Sequence, residues 1–181
     1  TKSIIKSLQS TYSSGVLISA GTGSGKTLGF YISALSKITF NIIDQSSSHA
    51  WTQCLAIYPR IELLKDQFFE IFKETRKLDD FLTSKSCRKI LIAPLFGDIP
   101  ESSYSFKNKN KDDPFPWKEK GNGYLCPFLK CPQNNCEGDL LWMKNDLNLD
   151  VEKLTCQKCE NTIDNKEVIF TRKTMRKSPP D

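Results

Sequence analysis

Histidine is nearly absent from this sequence: His49 is the only one, and no cysteine or carboxylate stands close to it. A histidine-based catalytic or metal centre is therefore not expected, and His49 reads as a solvated loop residue. Long apolar runs are missing as well. None approaches the roughly 20 residues that a membrane span requires, and no secretory leader is visible, so a membrane role is not expected. Nor is there a strong charge of one sign. Lysine and arginine number 26 against 21 acidic residues, a formal +5 that favours an anionic partner only mildly. A spread of cysteines, as in a disulfide framework, is also lacking: of seven, five fall between positions 126 and 159. With 38% hydrophobic residues and a mean hydropathy of −0.43 over 181 residues, the composition fits one domain with a modest core, or one domain carrying an insertion. The chain opens at Thr1 and reads as a piece cut from something longer.

What is present is organised around Ala20-Gly21-Thr22-Gly23-Ser24-Gly25-Lys26-Thr27. The apolar stretch Gly15–Ser19 before it reads as a buried strand, and the residues after it, Leu28–Leu35, as a helix. Strand, glycine-rich loop and helix form the context that a phosphate-binding loop requires. Gly21, Gly23 and Gly25 let the backbone curl so that successive N–H groups face one phosphate chain. The helix that starts near Lys26 adds the positive end of its dipole. Lys26 would supply a point charge to the outer phosphates, and the Thr27 hydroxyl is placed to ligate Mg²⁺. ATP or GTP binding is the firmest expectation from the residues.

In order along the chain, residues 1–14 suit a short helix with Ile4, Ile5 and Leu8 on one face. The loop's helix is expected to end near Ile38, and residues 39–50, with Asn41, Asp44 and three serines, read as a surface loop. Residues 53–58 read as a second strand, stopped by Pro59. A helix follows from Arg60 to about Lys77, with Ile61, Leu64, Phe68, Ile71 and Phe72 at helical spacing, then a short helix over Leu78–Leu82. Residues 88–96 read as a third strand, ended by the turn Gly97-Asp98-Ile99-Pro100. Strands alternating with helices predict a parallel sheet covered by helices. Residues 101–123, rich in lysine, proline and glycine, read as a linker. Glu167–Thr171 reads as a last strand, followed by basic residues.

The cysteine block follows the linker. Cys156-Gln-Lys-Cys159 is a C-x-x-C knuckle, and Cys131 and Cys136 enclose four residues. A strand candidate, Gly138–Lys144, lies between the two pairs. Two cysteine pairs separated by a hairpin point to a zinc ribbon, a unit too small to be stabilised by its core alone. The favoured ligands are Cys131, Cys136, Cys156 and Cys159, with Cys126 as a substitute for Cys131 or Cys136. No histidine or carboxylate is placed to leave an open position, so the site reads as closed and structural. This clustering, beside a phosphate-binding loop, fits a reducing compartment, the cytoplasm. Cys54 and Cys87 read as core residues. Trp117 and Trp142 are expected on the surface; Lys130, Lys144, Lys153 and Lys158 read first as a plain solvated surface, with guidance of a nucleic acid as the alternative.

These motifs resemble the superfamily 2 helicases of the DEAD/DEAH-box type. Ala20–Thr27 looks like motif I of that family, in which the leading alanine is usual. Pro59-Arg60-Ile61-Glu62-Leu63-Leu64-Lys65-Asp66-Gln67 resembles motif Ia, commonly Pro-Thr-Arg at its start. Here Arg60 sits one place early and Ile61 takes the arginine position. Gly97-Asp98-Ile99-Pro100 is similar to the Gly-Asp-Thr-Pro turn of some members. A further resemblance is to large bacterial helicases found with DNA-modification and phage-defence systems. The resemblance implies an α/β fold: an incomplete RecA-like domain with a parallel sheet and helices over 1–100, a linker over 101–123, a zinc-ribbon-like insertion over 124–160, and a return to the RecA-like domain over 161–181. It implies an ATP-dependent helicase or translocase using ATP and Mg²⁺, with Zn²⁺ in the ribbon. Lys26 and Thr27 would be catalytic, and Pro59, Arg60, Ile61, Gly97 and Asp98 would face the nucleic acid, with DNA favoured over RNA.

Motifs expected of the family are also missing. No Asp-Glu-x-Asp/His box and no second RecA-like domain occur in these residues, so they are expected to bind nucleotide weakly and to hydrolyse it negligibly by themselves. A different class of function also fits: a nucleotide-gated scaffold whose zinc block meets a protein partner, without unwinding. A kinase or GTPase is a third reading, opposed by the motif Ia resemblance.

Overall fold

The structure, a computed structural model, describes residues 26–45, 49–108 and 117–181, without the side chains of Lys26, Leu28 and Gln45. The expected helix over 1–14, strand over 15–19, loop Ala20–Gly25 and serines 46–48 lie outside the described residues, as does the 109–116 part of the expected linker.

Helix α1 spans Lys26–Gln45. It continues past Ile38, where a loop was expected, because the buried stripe continues: Tyr31, Leu35, Ile38 and Ile42 recur at steps of three and four and are all buried. Asn41 does not break it. Its amide reaches out to Gln53 at 2.7 Å. Helix α2 spans Ile61–Arg76, close to its expected bounds, with Arg60 as N-cap and Phe68 and Phe72 buried. Helix α3, Asp79–Ser84, buries Leu82. Leu35, Ile38 and Ile42 of α1 pack with Leu82 and Ile90 into one cluster.

The strands differ from expectation. The parallel sheet of the RecA-like reading is not formed among the described residues. Residues 52–58 and 88–96 enter no named strand. One parallel bridge joins Ile92 to Val168, where the last strand was expected. The regular sheet lies elsewhere and is wholly antiparallel, in the order β1-β2-β3-β4-β5. Its strands are β1 (Glu119–Lys120), β2 (Gly123–Lys130), β3 (Asp139–Met143), β4 (Lys153–Cys156) and β5 (Thr162–Asp164). An antiparallel meander takes each partner from the next stretch of chain, whereas a parallel strand needs one delivered by a crossover. The sheet therefore closes within 119–164.

A second, aromatic core joins this sheet to α2. Phe68 and Phe72 share it with Phe96, Phe106, Trp117, Phe128, Trp142 and Phe170. Trp117 and Trp142, expected on the surface, are 3% and 0% exposed. Burial is tolerated because each indole N–H finds a carbonyl: Trp117 donates to Asp98 O at 3.0 Å and Trp142 to Val151 O at 2.9 Å. Within 101–123, helix α4 (Ser103–Lys107) is closed by a Ser102/Ser105 capping box and buries Phe106. Helix α5, Lys144–Asn148, follows β3, and helix α6, Arg172–Lys177, follows Phe170.

Buried charge also ties the residues after the sheet to the helices. Arg76 of α2 donates to Ile90 O at 2.5 Å and faces Asp79 and Glu167 at 3.5 and 3.7 Å. Lys89 reaches Glu167 at 2.5 Å. Asp181 accepts from both Arg88 Nη atoms, at 2.5 and 2.6 Å, and from the Leu91 N–H at 2.9 Å.

Candidate functional site

Helix α1 opens at Lys26, the residue at which the glycine-rich loop is expected to hand over to a helix. Thr27 follows it, half-buried in the first turn. Helix N-termini in general carry N–H groups without intrahelical partners and the positive end of the helix dipole. Ala20, Gly21, Thr22, Gly23, Ser24 and Gly25 lie outside the described residues.

The cysteines converge. The Sγ atoms of Cys131, Cys136, Cys156 and Cys159 all lie within 4.8 Å of one another. Cys131 to Cys159 is 3.5 Å and Cys136 to Cys156 is 3.6 Å. Four thiolates at about 2.3 Å from one zinc ion stand about 3.8 Å apart, so the cluster has the dimensions of such a site. The backbone builds it. Cys131 N–H bonds to Gly138 O at 2.9 Å, and Glu160 N–H to Cys156 O at 3.1 Å, folding each knuckle back on itself. Asn135, Glu137 and Glu160 take left-handed conformations, with φ of 60°, 45° and 59°. Gly138 makes room for the sulfurs: a Cβ there would stand 2.7 Å from Cys156 Sγ and 3.4 Å from Cys136 Sγ.

The thiols differ in their ease of ionisation. Burial opposes the Cys156 thiolate, but N–H groups of Cys159 and Lys158 and the neighbouring thiols outweigh it and bring the group down to about 7. Burial pushes Cys131 up. Cys126, the proposed substitute, is buried in β2 outside the cluster, and burial pushes its thiol up to about 12. Cys54 is exposed rather than in a core, because its segment has no strand laid over it among the described residues; Cys87 is half-buried.

The third group of predicted residues falls on two elements that Lys65 joins. Pro59 and Arg60 are exposed ahead of α2, and Ile61 is 44% exposed in its first turn. Gly97 and Asp98 form a turn closed by Ile99 N–H to Phe96 O at 3.2 Å. Lys65, in the second turn of α2, joins the two elements by an ion pair with Asp98 at 2.7 Å, and its ammonium lies 5.2 Å from the Phe96 ring. Arg172 Nη2 donates to Phe96 O at 3.3 Å. Lys65, Trp117 and Arg172 were not singled out for this place from the sequence. Lys65 stands within the motif Ia resemblance, but no local signal marks the other two.

The lysines expected to offer free charge on the ribbon are occupied. Lys130 pairs with Asp139, and Lys144 with Glu119. Lys153 pairs with Asp146 at 3.1 Å, and Lys158 donates to Cys136 O at 3.3 Å. Acidic neighbours on adjacent strands and helices, invisible along the sequence, cancel much of that positive surface. No helix among the described residues is long and apolar enough to cross a membrane.

Comparison with known families agrees with the motifs. The family model described as DEAD/DEAH box helicase matches residues 2–92, half of the chain. The chain belongs to that family. No curated protein and no solved structure matches it. DEAD/DEAH box helicases are in general ATP-hydrolysing proteins that act on nucleic acid.

Proposed function

We propose that this chain is the ATP-binding part of an ATP-dependent helicase or translocase, with Zn²⁺ held by the cysteine ribbon. The observation that carries the reading is a helix over Lys26–Gln45, directly following the glycine-rich sequence Ala20–Gly25, inside the stretch matched by the helicase family. Ala20–Gly25 would wrap the phosphates with backbone N–H groups. Lys26 would neutralise their outer charge, and Thr27 would ligate Mg²⁺. The start of α2 (Pro59, Arg60, Ile61) and the turn Gly97–Asp98 would contact a strand backbone, where binding weakens as salt rises. Cys131, Cys136, Cys156 and Cys159 would hold zinc as a closed structural site, each as a thiolate. The 1–100, 101–123, 124–160 and 161–181 division remains our reading of how the RecA-like domain accommodates this ribbon.

The test is ATP turnover by the intact protein, with and without single-stranded DNA or RNA, beside its Lys26→Ala variant. Stimulation by one nucleic acid, lost in the variant, is the expected result. Turnover indifferent to both, or retained in Lys26→Ala, overturns the reading. The pairing of Lys130, Lys144 and Lys153 with acidic groups favours a narrower second reading for that part alone: a protein contact rather than a guide for nucleic acid. Nucleotide-dependent binding without strand displacement by the intact protein would extend that reading to the whole, as a scaffold.

A further inference from the structure

Phe128 stands where the cysteine-bearing sheet meets both candidate nucleic-acid elements. It lies in β2, three residues before Cys131. Its ring meets Phe68 of α2 at 5.8 Å and Phe96, just before the Gly97–Asp98 turn, at 5.7 Å, each edge-on. It meets the indole of Trp117 in the same manner at 5.8 Å. Trp117 then donates its Nε1–H to the carbonyl of Asp98 at 3.0 Å. The N–H of that same peptide, from Ile99, bonds to Phe96 O at 3.2 Å. The Asp98–Ile99 peptide is therefore pinned at both ends, and the Asp98 carboxylate is held by Lys65 of α2. Nearer the cysteines, Lys73 of α2 pairs with Glu137, which lies between Cys136 and Gly138, at 3.5 Å. Edge-to-face ring contacts are directional, and a close-packed interior transmits displacement rather than absorbing it.

We propose that Trp117 and Phe128 are positioning residues for nucleic-acid binding: through them the cysteine ribbon sets the Gly97–Asp98 turn against the start of α2. The inference rests on the reading of those two elements as the nucleic-acid edge. It gives the ribbon a role that needs no free charge of its own. The ribbon orients the edge from behind, and the turn and helix meet the strand. Neither residue belongs to the nucleotide-binding segment, and the scheme leaves nucleotide affinity independent of both.

The decisive variant is Trp117→Phe, which keeps an aromatic ring but removes the N–H that holds Asp98. Its control is Trp142→Phe, which removes an equivalent indole bond in the same core, to Val151 O at 2.9 Å, away from the turn. Binding of a fluorescein-labelled 20-nucleotide single strand, as DNA and as RNA, is read by anisotropy in the intact protein. A fluorescent ADP analogue is titrated in parallel, and hydrogen exchange is followed at residues 97–101. Trp117→Phe is expected to weaken strand binding about threefold to tenfold, the worth of one neutral hydrogen bond, with faster exchange at 97–101 and unchanged ADP affinity. Trp142→Phe is expected to lower the melting temperature similarly but to leave strand binding within about twofold. Phe128→Leu should follow Trp117→Phe. Equal weakening by Trp117→Phe and Trp142→Phe would reduce both to structural roles and overturn the proposal. So would unaltered exchange at 97–101 in Trp117→Phe. If the wild-type protein binds neither strand, the nucleic-acid reading falls, while faster exchange in Trp117→Phe alone would still uphold the positioning of the turn.

Discussion

The stretch matched by the helicase family and the cysteine ribbon are built on opposite plans. Residues 2–92 carry the family's signature, yet they form no regular ladder among the described residues, only the single bridge at Ile92. Leu55 and Ile57 are 77% and 82% exposed. Residues 119–164 lie outside that matched stretch, yet every strand is paired and Leu140, Leu154 and Trp142 are fully buried. Motif content and structural self-sufficiency are therefore separate properties. A parallel α/β sheet gathers its strands from distant parts of a chain. An antiparallel meander with a cysteine cluster collects its strand partners and its thiols within about 45 residues, even where it shares its core with a helix from elsewhere.

Removing the cluster should give the largest effect and can break the comparison. In Cys156→Ser, the sheet 119–164 is expected to lose bound zinc and its slow hydrogen exchange. Helix α1, which packs in the separate Leu35/Ile38/Ile42/Leu82/Ile90 cluster, should keep its protection. Loss of protection in α1 to the same extent would make the two regions one cooperative unit. Because the thiolates that would hold zinc also bind protons, metal content measured across a pH series should fall as pH is lowered.

Packing gives the next contrast. Trp142→Ala should cost about 3–5 kcal/mol, since it empties the centre of the aromatic core. Ile57→Gln, at an exposed apolar position, should change stability by no more than about 0.5 kcal/mol. Denaturant titration of the two variants checks this. Comparable losses would mean that the 52–58 segment is buried in solution.

The smallest effect is electrostatic. The ammonium groups of Lys120 and Lys130 hold the Asp139 carboxyl below its ordinary range. Its folded pKa is thus lower than its unfolded one. The stabilisation is complete above the ordinary carboxylate range, near pH 4, and is lost as pH falls through the lower folded value. The melting-temperature gap between the wild type and Asp139→Asn should narrow on acidification from pH 7 to 2.5. A constant gap would assign the effect to something other than this ion pair.

Helices α2 and α3, strand β3 and the identity of four converging cysteines were all legible in the sequence, because each rests on local periodicity or spacing. Phe68 and Phe72 fall on the inner face of a 3.6-residue repeat, and two knuckles announce themselves by the distance between their cysteines. The exclusion of Cys126 was not legible. It precedes a proline just as Cys131 does, and only the run of β2 buries it in the core while Cys131 reaches the knuckle. The burial of Trp117 and Trp142 was hidden for a similar reason: an indole goes inside only when a carbonyl from elsewhere meets its N–H, and Asp98 O and Val151 O are supplied by the fold.

The sequence by itself determined the helicase family, the placing of Lys26 and Thr27 at a helix start, and the cysteine spacing. These depend on residues near one another in the chain, whose chemistry and backbone preferences act locally. Tertiary structure alone decided that Lys130, Lys144 and Lys153 of the ribbon are paired with acidic groups, that α2 and the ribbon share one aromatic core, and that Lys65 and Trp117 meet at Asp98. Those outcomes depend on which groups are brought together across tens of residues, where packing and the satisfaction of buried polar groups, not local pattern, select the partner.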